Sequence, residues 1–200
     1  MANRKATVER ETRETKVKVA IDLDGKGTSN VQTGNGMLDH LLDQVSRHGL
    51  IDLDIKASGD SDLTGWHHTV EDTAITLGQA FLKAVGDGSG IYRMGWALVP
   101  LDEALSQVVV DISGRGFAAL DLGISDTDIG NLPGDMVRHF LHSFAMESKM
   151  TLHIKVLSGV NAHHIAEASF KGLAKALRQA TQVDAKSPNS VPSTKGTISQ

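Results

Sequence analysis

The sequence contains the pattern His-His-x-x-Glu twice, once at His67, His68 and Glu71 and again at residues 163–167. Imidazole and carboxylate groups are common ligands of divalent metal ions. On an α-helix, residues four apart lie nearly in line, whereas adjacent residues diverge by about 100°. The first His of each pattern therefore shares a helix face with the Glu, and the second His points elsewhere. We predict two ions, with the two His of each doublet facing different ions.

One further histidine, His40 or His139, lies in the shorter predicted helix of each half of the chain. Six of the nine histidines thus fall at three repeated positions, whereas His48, His142 and His153 have no counterpart. The ordinary alternative is that these polar residues only cap helices. Nitrogen and oxygen donors without sulfur suit Mn²⁺, Fe²⁺, Co²⁺ or Zn²⁺. The candidate ligands, three His and one carboxylate per ion, are His40, His67, His68, Glu71, His139, His163, His164 and Glu167.

The elements that must position these ligands are also repeated. The turn at 24–27 (DGKG) matches the turn at 113–116 (SGRG), which places Glu14 opposite Glu103. We expect residues 28–33 to return from the first turn as a hairpin strand, Gly49 to end its helix in the left-handed conformation, and Pro133 to begin a helix. Apolar periodicity predicts strands at 16–23, 28–33, 50–57, 96–101, 107–112, 117–122 and 150–157, and helices at 37–48, 67–85, 133–147 and 163–182.

This order of elements indicates an α+β protein that is internally duplicated, with each half a small mixed sheet and two helices packed on one face. The predicted divisions are residues 1–90 for the first half, 91–184 for the second half and 185–200 for a C-terminal tail. The tail is rich in Ser, Thr, Pro and Lys, and by composition alone it is typical of a disordered terminus.

Composition excludes several functional classes. Aromatic residues make up 4% of the 200 residues and the net charge is −4, so the sequence predicts no nucleic-acid binding. The absence of cysteine excludes disulfides, thiolate metal sites and a Cys nucleophile. Neither a signal peptide nor a membrane-spanning run is visible, so we expect a cytoplasmic protein that does not bind membranes.

Five stretches of the sequence carry a recognisable combination of motifs. They are TGNGMLDH (33–40), HHTVEDT (67–73), LDEAL (101–105), NAHHIAE (161–167) and PSTKG (192–196). In this order they closely resemble the imidazoleglycerol-phosphate dehydratase family over essentially the whole chain. The departures are mild, since Asn35 and Met37 replace more usual apolar residues and Gly65-Trp66 stand where polar residues are commoner.

The resemblance implies an enzyme of histidine biosynthesis with two Mn²⁺ ions per active site. It implies loss of water from imidazole glycerol phosphate to give imidazole acetol phosphate. Two cations flanking the ring nitrogens would favour the imidazolate, from which the adjacent hydroxyl can leave. The resemblance also implies a homo-oligomer of 24 subunits, built from trimers, with active sites shared between chains.

Roles of individual residues follow from the same resemblance. Glu14 matches the substrate-contacting glutamate and is the candidate base. Glu167 and Lys171 are the other candidate catalytic residues. From their positions alone, Asp39, Asp72 and Lys171 are candidates for orienting the ligands, and the alternative for each is a solvated charge on a helix face. The tail should become ordered when phosphate binds. The residues expected to contact the phosphate are Arg93, Arg115, Ser193, Thr194 and Lys195.

Two other functions are compatible with the repeated ligands alone. A metal-storing or metal-bridged shell protein would enclose fully ligated ions and have no substrate pocket. A dinuclear metallohydrolase would hold its ions about 3.5–4 Å apart. An imidazole ring bridging two ions would instead separate them by roughly 6 Å, since each metal–nitrogen bond is about 2 Å.

Overall fold

The computed structural model describes residues 4–59 and 64–198. Two four-stranded sheets and four helices make up these residues and confirm the predicted duplicated α+β fold. The first half contains β1 (Lys5–Glu11), β2 (Thr15–Asp22), β3 (Ser29–Gln32), α1 (Gly36–Gly49), β4 (Asp52–Gly59) and α2 (His67–Val85). The second half contains β5 (Met94–Leu101), β6 (Ala104–Asp111), β7 (Phe117–Asp121), α3 (Gly134–Glu147), β8 (Thr151–Ser158) and α4 (Ala162–Thr181).

Both sheets have the same mixed topology. The strand order is β1-β2-β4-β3 in the first sheet and β5-β6-β8-β7 in the second. The first three strands in each order are antiparallel, whereas β3 runs parallel to β4 and β7 runs parallel to β8. The expected hairpin return of residues 28–33 is therefore wrong. Parallel pairing needs a crossover connection, and α1 supplies it between β3 and β4.

Three local predictions also need correction. The strand β1 was not predicted, because its sequence KATVERE is mostly polar, as suits a strand at the edge of a sheet. The left-handed residue after α1 is Leu50, with φ 54°, and not Gly49. A Cβ at Gly49 would lie 3.2 Å from the side chain of Ile51 and 3.4 Å from the carbonyl oxygen of Ala174, so the space for a larger residue is limited mainly by Ile51. Pro133 precedes α3 as its N-cap residue instead of occupying the first helical position.

The helices lie between the sheets, and each helix of one half packs against a helix of the other half. The helix α2 packs on β1 and β2, and α4 packs on β5 and β6. In addition, α1 packs against α4, and α2 packs against α3. Buried apolar residues from both halves form one hydrophobic core. Side chains at the helix N-termini of different halves can therefore meet, while the boundaries at residues 90 and 184 stay a prediction.

None of the helices in the described part of the chain is both long and apolar enough to cross a membrane.

Candidate active site

The first group of possible ligands, called cluster 1, consists of His67, Glu71 and His139. Its three ligand atoms all lie within 4.8 Å of one another. His67 and Glu71 are one turn apart on α2, and α3 supplies His139 from the other half. The Nε2 atom of His139 lies 3.3 Å from Oε1 of Glu71, and the rings of His67 and His139 stack with centroids 4.6 Å apart. The predicted sharing of one helix face by His67 and Glu71 is thus present.

The second group, called cluster 2, consists of His40, His163 and Glu167 and has the same plan. Here α4 carries His163 and Glu167, while α1 supplies His40 from the other half. Oε2 of Glu167 lies 2.9 Å from Nε2 of His40 and 3.0 Å from Nε2 of His163. Lys171, one turn further along α4, places its Nζ 2.6 Å from the other oxygen of Glu167.

The Glu167 carboxylate is ionised in this setting. Burial alone raises the pKa of this group, because it removes solvent from the charged form. Hydrogen bonds from Lys171 and His40, together with their charges, outweigh burial and lower the pKa of Glu167 to about 2. A carboxylate that stays charged is suited to a cation, so Lys171 supports the ligand chemistry of cluster 2.

Asparagine caps fix the helix ends that carry cluster 2. The side-chain oxygen of Asn161 accepts hydrogen bonds from the backbone N–H groups of His163 and His164, at 2.9 and 3.3 Å. Asn35 caps α1 in the same way and is fully buried, and its Nδ2 donates to the carbonyl of Asn131 at 2.8 Å. The departure from the family pattern at Asn35 therefore has a structural role.

The second His of each doublet points away from its cluster, as the helix geometry predicted. His68 Nε2 lies 3.6 Å from Oε2 of Glu14, and His164 Nδ1 lies 2.8 Å from Oε2 of Glu103. Neither histidine belongs to a three-ligand group among the described residues. One chain therefore assembles two His and one Glu at each cluster, and the third His expected for each ion lies elsewhere.

The donor atoms of both clusters fit a divalent metal ion. Nε2 of His139 is buried and, although it lies 3.3 Å from Oε1 of Glu71, it makes no hydrogen bond of good geometry among the described residues. A buried polar atom without a partner is costly, and a metal ion would satisfy it. Imidazole nitrogen and carboxylate oxygen without sulfur suit the metals predicted from the sequence. Three donors per cluster leave coordination positions open for substrate or for a further protein ligand.

Basic and hydroxyl side chains line a separate cleft of about 310 Å³. The guanidinium of Arg93 donates to both carboxylate oxygens of Asp111, at 2.7 and 3.0 Å, and to the carbonyl of Pro192 at 3.0 Å. The bond to Pro192 attaches the tail to the residue before β5, and the bonds to Asp111 attach that residue to the end of β6. All five residues predicted to contact phosphate line this cleft, namely Arg93, Arg115, Ser193, Thr194 and Lys195.

This cleft and the clusters lie at opposite ends of the long helices. The backbone N–H of Arg93 donates to the carbonyl of Ala180, near the C-terminus of α4. His163 lies in the first turn of the same helix, about 25 Å away along the axis at about 1.5 Å of rise per residue. Likewise, Gly114 and Ile198 lie beside the C-terminus of α2, whose first residue is His67.

Sequence reasoning did not assign a role to Glu103. Its carboxylate accepts hydrogen bonds from the backbone N–H groups of Val160 and Asn161, at 3.2 and 2.8 Å, and contacts His164. The Asn161 N–H, followed by the His164 ring, lowers the pKa of Glu103 to about 2. The sequence did indicate that Glu103 occupies the position equivalent to Glu14. That equivalence does not show which groups the Glu103 carboxylate contacts.

Comparison with known proteins places the chain in a family. The model of the imidazoleglycerol-phosphate dehydratase family matches residues 33–177. This chain belongs to that family. The imidazoleglycerol-phosphate dehydratase of Gluconacetobacter diazotrophicus is 51% identical, over 98% of this chain and 98% of that relative. The Alcanivorax borkumensis dehydratase is 51% identical, over 100% of this chain and 98% of that relative.

Solved structures of imidazoleglycerol-phosphate dehydratases have the same fold. The crystal structure from Staphylococcus aureus has a TM-score of 0.81 at 32% identity and covers 90% of this chain and 99% of its own. The structure from Pyrococcus furiosus has a TM-score of 0.80 at 38% identity and covers 94% of this chain and 99% of its own. Membership of this family confirms the resemblance seen in the sequence and the prediction of a dehydratase enzyme.

Proposed function

We propose that this protein removes water from imidazole glycerol phosphate to form imidazole acetol phosphate in histidine biosynthesis, in the cytoplasm. The observation that carries the proposal is the pair of matching His/Glu clusters in a chain that belongs to the dehydratase family. Arg115 and Lys195 in the cleft supply the positive charge that a phosphate ester needs, beside Arg93, whose charge is paired with Asp111.

Each cluster is proposed to hold one Mn²⁺ ion, with Fe²⁺, Co²⁺ or Zn²⁺ as chemically compatible alternatives. When bound, such ions supply Lewis-acid polarisation of the two ring nitrogens of the substrate. The ligands contributed by one chain are His67, Glu71 and His139 to one ion, and His40, His163 and Glu167 to the other. His68 and His164 are proposed to complete the clusters of neighbouring chains, because they face outward from their own.

Glu14 is the proposed base. In the dehydration, the hydroxyl on the carbon attached to the ring leaves as water, and a base removes the proton from the neighbouring carbon. The resulting enol becomes the ketone when the carbon attached to the ring takes up a proton and the enol hydroxyl loses one. The Glu14 side chain is 54% exposed, and its carboxylate accepts no backbone hydrogen bond within the described part of the chain. It lies 3.6 Å from His68. Glu167 and Lys171 contribute by keeping a charged carboxylate at cluster 2.

A substrate bound to one chain alone could not contact both kinds of site. The clusters and the phosphate cleft are about 25 Å apart along α4, at about 1.5 Å per residue. Imidazole glycerol phosphate, a five-membered ring on a three-carbon chain, is far shorter. The active site is therefore proposed to combine clusters and phosphate cleft from neighbouring chains, in a homo-oligomer of 24 subunits built from trimers.

The outer face of the second sheet supports assembly. Met94, Trp96 and Leu98 project from this face of β5, and Trp96 is 66% exposed. Phe117 on β7 is also exposed. Large apolar side chains grouped on one face are typical of a protein–protein interface. The equivalent positions on β1 are polar, namely Lys5, Thr7 and Glu9.

The proposal is tested by adding Mn²⁺ to the metal-free protein and measuring formation of imidazole acetol phosphate. We expect turnover with the ion and none after chelation. Sharing of sites is tested by mixing inactive His163→Ala and Arg115→Ala subunits and reassembling them. Mixed oligomers should recover activity, because some sites combine an intact cluster with an intact cleft. Recovery should be absent if each chain forms its own site.

A further inference from the structure

A partly buried polar network joins α2 to the turn between β1 and β2. Asp72 is 6% exposed, and its Oδ1 accepts a 2.7 Å hydrogen bond from Nε of Arg10. Its other oxygen accepts from the hydroxyl of Thr15, which is also buried. A protein with apolar residues of similar size at such positions is often as stable as, or more stable than, the protein with the ion pair. The network therefore calls for a role other than stability alone.

The hydrogen bonds continue from Asp72 to the backbone of Glu14. The Thr15 hydroxyl lies 3.2 Å from the hydroxyl of Thr12. The Thr12 oxygen accepts from the backbone N–H groups of Glu14 and Thr15, at 3.2 and 3.0 Å. Asp72 thus holds the turn that carries Glu14. We call Arg10, Thr12, Thr15 and Asp72 the Asp72 network.

The second half holds its equivalent turn by a different method. The carboxylate of Glu103 itself binds the backbone N–H groups of Val160 and Asn161, which precede the first residues of α4. All four equivalents of the Asp72 network are apolar there. They are Val99, Leu101, Ala104 and Ala168.

We infer that the Asp72 network positions Glu14 for proton transfer. Asp72 fixes the turn through Thr15 and Thr12. In the second half, the Glu103 carboxylate itself fixes the equivalent turn. The Glu14 carboxylate then keeps its oxygens for the reaction and stays beside His68. Asp72, Arg10, Thr12 and Thr15 are positioning residues in this scheme, which rests on the proposed function.

The deciding experiment is a double-mutant cycle between Asp72 and Glu14 in the manganese-loaded oligomer. Asp72→Ala should lower kcat by about 10–100-fold, the usual effect of losing an outer positioning partner. KM should stay within about threefold and the metal content should be unchanged. In a Glu14→Gln background, Asp72→Ala should lower kcat no further. Equal losses in both backgrounds, or full activity of Glu14→Gln alone, would overturn the inference.

A swap variant separates positioning from folding. The variant Arg10→Val, Thr12→Leu, Thr15→Ala, Asp72→Ala carries the residues of the second half. We expect its melting temperature to stay within a few degrees of the wild type, because an apolar set can replace a partly buried ion pair with little loss of stability. Its kcat should nevertheless fall as far as that of Asp72→Ala. Wild-type kcat in the swap variant would contradict the inference.

A conservative pair and a surface pair complete the design. Thr15→Ser keeps the hydroxyl and should retain kcat, whereas Thr15→Val should lose it. Glu9→Gln with Lys18→Gln removes an exposed ion pair from the same two strands and should leave kcat unchanged. If the wild type itself does not dehydrate imidazole glycerol phosphate, the proposed function fails. If the wild type is active and the cycle is additive, only the positioning role fails.

Discussion

Glu14 in the first half and Glu103 in the second lie at equivalent positions of equivalent turns, yet their carboxylates have different surroundings. Glu103 accepts two backbone hydrogen bonds and contacts His164 at 2.8 Å. Glu14 lies at a longer distance, 3.6 Å, from His68. The two halves therefore share one fold and one arrangement of His and Glu side chains, whereas their two equivalent glutamates make different contacts.

The two clusters show the conserved part of this comparison, and their surroundings show the divergent part. Each cluster takes a His and a Glu from a long helix and a His from the short helix of the other half. Cluster 2 alone has a lysine one turn beyond its glutamate, Lys171, where α2 has Ile75. The outer faces of the sheets differ as well, one being polar and the other apolar.

The largest effect is expected when either cluster loses its short-helix ligand. His40→Ala and His139→Ala should each remove about one ion per chain, because one chain supplies only three donors to each cluster. Each should lower kcat/KM by at least about 1,000-fold, since a bound metal ion stabilises the transition state by several kcal/mol. Elemental analysis and steady-state kinetics check both results.

The matched control for this prediction is His142→Ala, an exposed histidine of α3 outside both clusters. It should keep metal content and turnover. If one of the two cluster variants retained full activity, the clusters would not be functionally equivalent.

The next effect separates the two glutamates. Glu14→Gln should lower kcat by about 10²–10⁴-fold, the usual contribution of a general base, without changing the melting temperature. Glu103→Ala should lower the melting temperature slightly, because it removes two solvent-exposed hydrogen bonds that hold the residues preceding α4. Thermal denaturation and kinetics on both variants decide this. Equal thermal losses would show that the two carboxylates do the same work.

A smaller effect concerns the two sheet faces. Trp96→Glu should weaken subunit association by about 30-fold, as expected when an interface residue worth about 2 kcal/mol is lost. Thr7→Glu, at the equivalent position of the polar sheet, should leave assembly intact. Light scattering over a dilution series measures both. If Thr7→Glu caused dissociation instead, the interface would lie on the first sheet and not on the second.

The smallest effect is a pH-dependent difference in stability. Oδ1 of Asp52 accepts from the backbone N–H groups of Lys26 and Thr28, both at 2.8 Å. The Thr28 bond, followed by the Lys26 bond, lowers the pKa of Asp52. The equivalent residue of the second half is Thr151, which does not titrate.

A lowered carboxyl pKa stabilises the fold above the unfolded-state pKa of about 4, and this gain is lost as pH falls through the lower folded value. Asp52→Asn should therefore cost less than about 1 kcal/mol at neutral pH, since the group is only partly buried, and progressively less below pH of about 4. The cost of Thr151→Ala should not change with pH. Urea denaturation at several pH values measures both, and a constant cost for Asp52→Asn would contradict the assignment.

Much of the fold could be predicted because its elements are locally encoded. The periodicity of residues 67–85 matches α2 residue for residue, and the spacing of His67 and Glu71 predicted their common face. What local patterns could not show is pairing over long distances. Nothing near His139 in the sequence indicates that it meets α2, and nothing in residues 28–33 distinguishes parallel from hairpin pairing. The polar strand β1 was missed because an edge strand needs few apolar residues.

The division of work between neighbouring chains is tested most directly by crystals of the manganese-loaded protein with a bound imidazole-bearing phosphate, recorded at the manganese absorption edge. We predict two ions about 6 Å apart on either side of the ring, a spacing set by metal–nitrogen bonds of about 2 Å. We also predict the phosphate against Arg93 and Arg115 of a neighbouring chain. Ions about 3.5–4 Å apart, as in dinuclear hydrolases, or a phosphate held by the same chain as both ions, would contradict the account.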